Sequence, residues 1–154
     1  MSVFTLNTSQ IIPATKEQVW DFISSPENLK HITPAYMGFH ILTENLPVKM
    51  YPGMIIKYKV SPLFNINMEW VTEITHVKDL SYFVDEQRYG PYQMWHHQHH
   101  ISEVANGILM KDIVNYQPPF GVLGNIANAV MIKKKLKEIF DFRFAAVEKK
   151  FGKA

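Results

Sequence analysis

The sequence predicts one α+β domain, in which an antiparallel sheet of six or seven strands lies against a long C-terminal helix. Three observations support this prediction. Runs of alternating apolar and polar residues fill the middle of the chain, turn signals separate these runs, and the last part of the chain changes to a helical period. With 154 residues, the chain is long enough to bury a core, and we treat residues 1–154 as a single domain.

The first elements are a strand and two short helices. Residues 3–12 alternate as a strand does. Thr15 followed by Gln18 is a capping-box signature for the start of a helix. Ser25-Pro26 ends that helix because the residue before a proline disfavours the α conformation. A second short helix is predicted over residues 27–31.

The centre of the chain predicts an antiparallel meander. The predicted strands cover residues 37–44, 54–61, 66–77, 80–88, 92–104 and 107–117. Turn-forming pairs separate them, including Ser61-Pro62 and Gly90-Pro91. Asn106-Gly107, between two alternating runs, is typical of a tight hairpin.

The C-terminal segment predicts one long helix. After Pro118-Pro119, apolar residues recur at helical spacing as far as Phe151, which corresponds to a helix of roughly 45 Å. Gly121 and Gly124 are expected to permit a close approach to the sheet. A sheet that curls around this helix would leave a cavity, whereas the close packing of protein interiors favours a filled core. The residues by themselves leave both possibilities open.

Composition excludes several classes of protein. The chain has no cysteine, which excludes disulfides, thiolate metal sites and cysteine nucleophiles. A net charge of +2 does not indicate nucleic-acid binding, and Lys133 to Lys135 with Lys137 are interpreted as a solvated helix face. No apolar run is long enough to span a membrane and no signal peptide is visible, so we expect a cytoplasmic protein. P-loop and nucleophile-elbow motifs do not occur.

Four strings of the sequence resemble a known superfamily. They are IIPATKEQVWDFISSPENL, FVDEQRYGPYQMWHHQH, DIVNYQPPFGVLGNIA and KKLKEIFDFR. Together with the order of elements, they resemble the START-like or SRPBCC superfamily, whose architecture is the helix-grip fold, and in particular its bacterial polyketide cyclase/dehydrase-like branch. The resemblance covers nearly the whole chain. It implies a seven-stranded sheet wrapped around the C-terminal helix with a deep apolar cavity between them, which is an argument by analogy of fold.

Strand alternation assigns side chains to the inner face of the sheet. In the branch that the chain resembles, a W-x-H-x-H-x-apolar pattern places Trp95, His97 and His99 on this face. The same reasoning adds Ile56, Tyr58 and Val60, then Trp70, Thr72 and Ile74, then Phe83, Asp85 and Gln87, and finally Asp112, Val114 and Tyr116.

A polar cluster is therefore expected inside an apolar cavity. It would contain Asp85, Gln87, His97, His99 and Asp112. A buried carboxylate is costly unless it is paired, so these residues could simply bond one another and fix the strand register. They could instead orient the polar end of a ligand. In a catalytic interpretation, His97 or His99, oriented by Asp85 or Asp112, removes a proton beside a carbonyl group.

The histidine-rich strand also raises the possibility of a metal site. His97 and His99 share one face, and His-x-His with a carboxylate from elsewhere can hold a divalent metal. However, that face lacks a third histidine, and His96 and His100 resemble surface residues. We therefore predict no metal and no cofactor.

The leading functional prediction is the binding of a small hydrophobic ligand, which could be lipid-like, quinone-like, or aromatic and polyketide-like. The predicted ligand-binding residues are Tyr58, Trp70, Thr72, Phe83, Gln87, Trp95, Tyr116, Leu123, Ile126 and Val130. Two alternatives remain open: a cyclase, dehydratase or isomerase that uses the histidine–carboxylate pairs, and a non-catalytic interaction module with a filled core. The sequence carries no signal for an oligomeric state.

Overall fold

A computed structural model describes residues 2–61 and 66–154 of the chain. Pro62, the second residue of the turn predicted at Ser61-Pro62, lies outside the described residues. The strands form a seven-stranded antiparallel sheet in the order β1-β7-β6-β5-β4-β3-β2. They are β1 Phe4–Ile12, β2 His40–Ile41, β3 Met54–Val60, β4 Met68–Lys78, β5 Tyr82–Tyr89, β6 Met94–Val104 and β7 Gly107–Gln117.

One face of the sheet is buried, as the alternation of the sequence predicts. In β6, Trp95, His97, His99 and Ile101 are buried, whereas the residues between them are more exposed. Register shifts interrupt the pairing of β4 with β5 on either side of residues 72–74. Such irregularities bend a strand and increase the local twist, which curves the sheet around whatever lies on its buried face.

The strand predicted over residues 37–44 is much shorter than expected. Met37 belongs to a 3-10 helix, Ala35–Met37, which ends at Gly38 in the left-handed conformation. At the other end, the backbone N–H groups of Leu42 and Thr43 both donate to the carbonyl of Lys57. Because one acceptor serves two donors there, the regular ladder stops after His40–Ile41.

The first helix begins where the sequence predicts. In α1, Lys16–Ile23, the side chain of Thr15 accepts from the backbone N–H of Gln18, and the Gln18 side chain accepts from the backbone N–H of Thr15. This reciprocal pair is the predicted capping box. The second short helix is a 3-10 helix, Pro26–His31.

The C-terminal helix runs through three segments. These are α2 Gly121–Ala127, a π-helical segment Asn128–Ile132, and α3 Lys133–Phe151. The residues that face inward recur every four positions, at Gly124, Asn128, Ile132, Leu136 and Phe140. An α-helix has 3.6 residues per turn, so a four-residue spacing drifts around its axis, and the wider π turn offsets part of the drift.

The two glycines at the start of this helix have different roles. A Cβ atom on Gly124 would overlap the carbonyl oxygen of Pro119, so this glycine permits close approach to the connection between β7 and α2 rather than to the sheet itself. Gly121 has open space around it. It follows Phe120, and both residues have positive φ angles, so Gly121 serves the turn into the helix.

The core has two parts that lie on either side of the same space. Trp20 of α1 packs edge-on against Phe83 in one part, and Trp70 packs edge-on against Trp95 in the other. No helix within residues 2–61 and 66–154 is long and apolar enough to cross a bilayer.

Candidate functional site

A cavity of about 150 Å³, here called the main cavity, lies between the sheet and α3. Four strands contribute the side chains that the alternation predicted: Ile56, Tyr58 and Val60 from β3, Trp70, Thr72 and Ile74 from β4, Phe83 and Asp85 from β5, and Trp95, His97 and His99 from β6. The helix closes the other side with Leu136, Ile139, Phe140 and Arg143. The predicted alternative of a filled core is therefore wrong, since space remains between helix and sheet.

Aromatic rings form one wall of the main cavity. Trp70 is the centre of this wall, with ring centroids 5.9 Å from Tyr58, 5.7 Å from Tyr92 and 5.3 Å from Trp95. The Tyr58 hydroxyl shares a hydrogen bond of 2.9 Å with Thr72. Burial raises the pKa of Tyr58 and of Tyr92 well above the ordinary value, so both phenols keep their protons.

Another part of the cavity lining, here called the polar end, carries charged and polar side chains. Nε2 of His97 lies 2.8 Å from Oδ1 of Asp112, and Nε2 of His99 lies 2.7 Å from Oδ2 of Asp85. Strand register brings these groups together, because His97 is directly opposite Asp85 and His99 is directly opposite Asp112. We call Asp85, His97, His99, Asp112 and Arg143 the polar cluster.

Arg143 and Asp112 both approach Nδ1 of His99. An Nη2–H group of Arg143 lies 3.3 Å from Nδ1 of His99. A guanidinium group can only donate, so this contact is a hydrogen bond in the tautomer of His99 that carries its proton on Nε2. That proton is donated to Asp85. Oδ1 of Asp112 also lies 3.0 Å from Nδ1 of His99, so the opposite tautomer has an acceptor within reach.

Burial and charge together set the ionisation of the cluster. Burial by itself would raise the pKa of Asp85, but the hydrogen bond from His99 and the nearby positive charge lower it below the ordinary value. The pKa of Asp112 lies well below its ordinary value, since Arg143 and the two histidines outweigh the effect of burial. Burial, followed by repulsion from His99, lowers the pKa of His97 to about 4. At neutral pH, both carboxylates are therefore ionised and His97 is neutral.

A smaller cavity of about 80 Å³ lies behind the polar cluster, between β1, β7 and α3. Asp112 lines this second cavity but not the main one, and Arg143 lines both. The side-chain oxygen of Gln10, which also lines the second cavity, has no hydrogen-bond partner among the described residues. Arg143 thus forms part of the wall between the two spaces.

Most of the predicted site residues lie where the alternation placed them. Tyr58, Trp70, Thr72, Phe83 and Trp95 line the main cavity, as do Asp85, His97 and His99. Two others are nearby but have structural partners. The side-chain amide of Gln87 donates to the backbone carbonyl of Tyr92 and accepts from its N–H group. The hydroxyl of Tyr116 donates to Asn128 on the π-helical segment.

Three predicted lining residues lie elsewhere, and this part of the prediction is corrected. Leu123 is 72% exposed, Ile126 58% and Val130 76%. The helix turns its small and polar residues inward at this point, because Gly124 meets the carbonyl of Pro119 and Asn128 accepts from Tyr116. The apolar residues of the same turns consequently point to solvent.

Arg143 is the charged site residue that the sequence reasoning missed, alongside the lining residues Tyr92, Leu136, Ile139 and Phe140. It is one of only two arginines in the chain, and it stands between Phe142 and Phe144 in an otherwise apolar stretch of the helix. Its side chain is only 11% exposed. A lone arginine at the spacing of buried Leu136 and Phe140 is the signal that would have identified it.

A family model described as polyketide cyclase / dehydrase and lipid transport matches residues 12–140. No curated protein matches the chain in sequence.

Solved structures resemble the chain over almost all of its length. Protein CV1439 from Chromobacterium violaceum has a TM-score of 0.72 at 10% identity and covers 97% of this chain and 99% of its own. TTHA0849 from Thermus thermophilus has a TM-score of 0.68 at 12% identity, with 96% and 97% covered. Ginseng major latex-like protein 151 from Panax ginseng has a TM-score of 0.67 at 10% identity, with 97% of each chain covered. At such low identities, these similarities concern the fold alone, and they agree with the expected helix-grip architecture.

Proposed function

Because this chain belongs to the polyketide cyclase/dehydrase and lipid transport family, we propose that it binds a small, largely apolar molecule in the main cavity. The observation that carries this proposal is the cavity itself, a space of about 150 Å³ with aromatic and aliphatic walls and one polar end. Apolar walls with a few convergent polar groups are typical of small-molecule sites.

The volume of the cavity favours one of the predicted ligand classes. An engineered cavity of similar volume, about 150 Å³, binds benzene, whereas pockets for drug-sized ligands measure roughly 300–1,000 Å³. A molecule with one aromatic or quinone ring therefore matches the space as it stands. A long lipid chain or an extended polyketide would require the walls to move.

Two unsatisfied donors indicate what the ligand carries besides its ring. Nε1 of Trp70 and Nε of Arg143 are buried N–H groups without a hydrogen-bond partner among the described residues. Both side chains line the main cavity. Because a buried donor without a partner is costly, a ligand whose oxygen acceptor reaches one of these donors should bind better than a purely apolar ligand.

Acetophenone and ethylbenzene form a matched pair that tests this proposal. The two molecules have nearly the same shape, but only acetophenone has a carbonyl acceptor. We expect both to bind, and acetophenone to bind about 3–10 times more tightly, which corresponds to one net hydrogen bond. Titration calorimetry gives the affinities, and the fluorescence of Trp70 and Trp95 reports binding at the site.

Two substitutions on the same strand provide the control. Ile56→Phe places a larger side chain in the main cavity and should weaken acetophenone binding, whereas Ile55→Phe, on the exposed face of β3, should not. Failure of the wild-type protein to bind either compound, or equal binding by the two variants, would rule out the main cavity as the site.

An acid–base enzyme is the second candidate, because the polar end holds two histidine–carboxylate pairs, at 2.8 and 2.7 Å. The lowered pKa of Asp85 keeps its carboxylate ionised, and it lines the cavity. A bound ketone would transfer a proton from the carbon beside its carbonyl to Asp85, while an N–H group of Arg143 stabilises the enolate oxygen.

Deuterium exchange tests this second candidate without a known substrate. In deuterated buffer, the wild-type protein should accelerate incorporation of deuterium into the methyl group of acetophenone, and Asp85→Asn should return it to the rate in buffer. Nuclear magnetic resonance follows the loss of the methyl proton signal. Wild-type exchange at the rate of buffer would leave only the binding function.

A further inference from the structure

Three side chains at the polar end of the main cavity present atoms that bind transition metals. Oδ2 of Asp85 lies 3.6 Å from Nδ1 of His97 and 2.7 Å from Nε2 of His99. One ligand atom from each residue lies within 4.8 Å of the other two. The third ligand that the histidine strand lacks in the sequence thus comes from the neighbouring strand, where Asp85 is paired with His97.

We propose that Asp85, His97 and His99 form a binding site for a divalent transition-metal ion, with Zn²⁺ as the best match. Zinc is bound by imidazole nitrogen and carboxylate oxygen at about 2.0–2.2 Å, which separates neighbouring ligand atoms of a tetrahedron by about 3.4 Å. The distances in the cluster bracket this value. Small side-chain rotations that change these separations by about 1 Å would therefore complete the site.

Asp112 is placed to orient both imidazoles from behind. Its Oδ1 atom lies 2.8 Å from Nε2 of His97 and 3.0 Å from Nδ1 of His99, the nitrogens that do not face Asp85. Metal-binding histidines usually donate their other N–H group to such a carboxylate, which fixes the tautomer and the ring orientation. With its proton donated to Asp112, His97 directs the free lone pair of Nδ1 towards Asp85.

Binding of the metal requires one change of tautomer. The proton that His99 donates from Nε2 to Asp85 has to move to Nδ1, where Asp112 accepts it. Arg143 then loses its bond to Nδ1, and its Nη2 atom remains 3.8 Å from Asp112. In this tautomer, Nε2 of His99 is free for the metal, and Asp85 exchanges its hydrogen bond for the metal.

Charge and access are also consistent with a cation at this point. The cluster has two carboxylates and a single guanidinium group, so it is negative when both imidazoles are neutral. All three proposed ligands line the main cavity, so a fourth coordination position would face that space. A zinc ion with three protein ligands keeps this position for water or for an oxygen of a bound molecule.

Metal titration of the full chain tests the proposal. After treatment with a chelator, the wild-type protein should bind one Zn²⁺ per chain with a dissociation constant on the order of 1 μM or lower by calorimetry. Co²⁺, added in place of Zn²⁺, should give the visible absorption of a four-coordinate site. Asp85→Asn should weaken binding of Zn²⁺ roughly 100-fold and abolish that absorption.

The same strand provides matched controls. His96→Ala and His100→Ala remove histidines of the opposite face of β6 and should leave the affinity for Zn²⁺ unchanged. Asp112→Asn keeps the shape of the side chain and should weaken Zn²⁺ binding by about 10–100-fold. If variants of His97 or His99 fail to fold, Asp85→Asn decides the matter, since its side chain is not fully buried.

Several outcomes would overturn the metal site. They are the absence of stoichiometric binding to the wild-type protein, undiminished binding to Asp85→Asn, and loss of binding in His96→Ala or His100→Ala. Acetophenone binding by metal-free wild-type protein separates this inference from the proposed function. If that binding persists while Zn²⁺ does not bind, only the metal site is refuted, and the reverse result refutes only the ligand site.

Discussion

At the scale of single residues, the polar cluster depends on Asp112. This carboxylate is 2% exposed and contacts His97, His99 and Arg143. Alternation along β7 predicted that Asp112 points inward, but pairing with specific histidines requires the register between β6 and β7. Arg143 comes from the far end of the chain, so its position beside Asp112 depends on the packing of the helix over the sheet.

Removal of the Asp112 carboxylate should strongly destabilise the protein. In Asp112→Ala, Arg143 would be left buried without its counter-ion, and loss of one partner of a buried pair costs about 3–5 kcal/mol. Urea unfolding gives the free energy of unfolding. The control is Glu69→Ala, which removes an exposed partner of Lys57 and should cost less than about 1 kcal/mol. Similar losses in the two variants would show that the cluster does not stabilise the fold.

Tyr116 provides a second prediction at this scale. Tyr116→Phe removes the hydroxyl that donates to buried Asn128, and the unsatisfied amide oxygen should cost about 1–3 kcal/mol. Tyr89→Phe, at a 65% exposed position, should be neutral in the same unfolding measurement. Acetophenone affinity should be unchanged in Tyr116→Phe, because this hydroxyl serves the contact between β7 and the helix. A large loss of affinity would instead return Tyr116 to the ligand site.

At the scale of elements, the C-terminal helix determines which residues face the cavity. Its apolar positions predicted a helix correctly, but α2 has large apolar residues on its outer side. The inward side of that segment is set by Gly124 and Asn128, which contact Pro119 and Tyr116. A helical period indicates the width of the apolar stripe. Which side of the helix packs inward depends on the neighbouring segments of the same chain.

Two leucines of this helix should respond differently to truncation. Leu136→Ala removes a side chain that is 4% exposed and should cost about 2–5 kcal/mol. Leu123→Ala, at a 72% exposed position, should change the free energy of unfolding by less than about 0.5 kcal/mol. Chemical denaturation of both variants under identical conditions measures the difference. A large cost for Leu123→Ala would restore the sequence prediction that this residue packs inward.

At the scale of the whole molecule, the cavity follows from the closure of a curved sheet over one helix. Neither part of the core fills the space between them, so ligand binding should stabilise the entire fold. The proposed zinc site and the aromatic wall line the same space, with the ring centroids of His97 and Trp95 6.1 Å apart, and a single small molecule could therefore contact both.

Ligand-induced stabilisation tests this view of the molecule. At a free concentration ten times its dissociation constant, acetophenone should add about 1.4 kcal/mol to the free energy of unfolding. For a chain of this length, that corresponds to a rise in Tm of about 3–6 °C. Scanning calorimetry measures the rise, and Ile56→Phe should show a smaller one. An unchanged Tm in the presence of saturating acetophenone would contradict binding to the folded protein.

The amino-acid sequence by itself determined the order of elements, the capping box at Thr15 and the inner faces of most strands. These features depend on local chemistry and on apolar residues that recur every two or nearly four positions. Such patterns can be recognised without knowledge of contacts between distant segments. The resemblance of four strings added the helix-grip architecture and the cavity.

Only the tertiary structure decided the composition of the site. The pairing of Asp85 and Asp112 with the histidines depends on register, the inward position of Arg143 depends on helix packing, and the outward position of Leu123 depends on a steric contact at Gly124. The first two are contacts between residues remote in sequence, and the third is a contact of the helix with the connection that precedes it. A local pattern limits which face a residue can occupy, but the partner on that face is set by the closure of the whole fold.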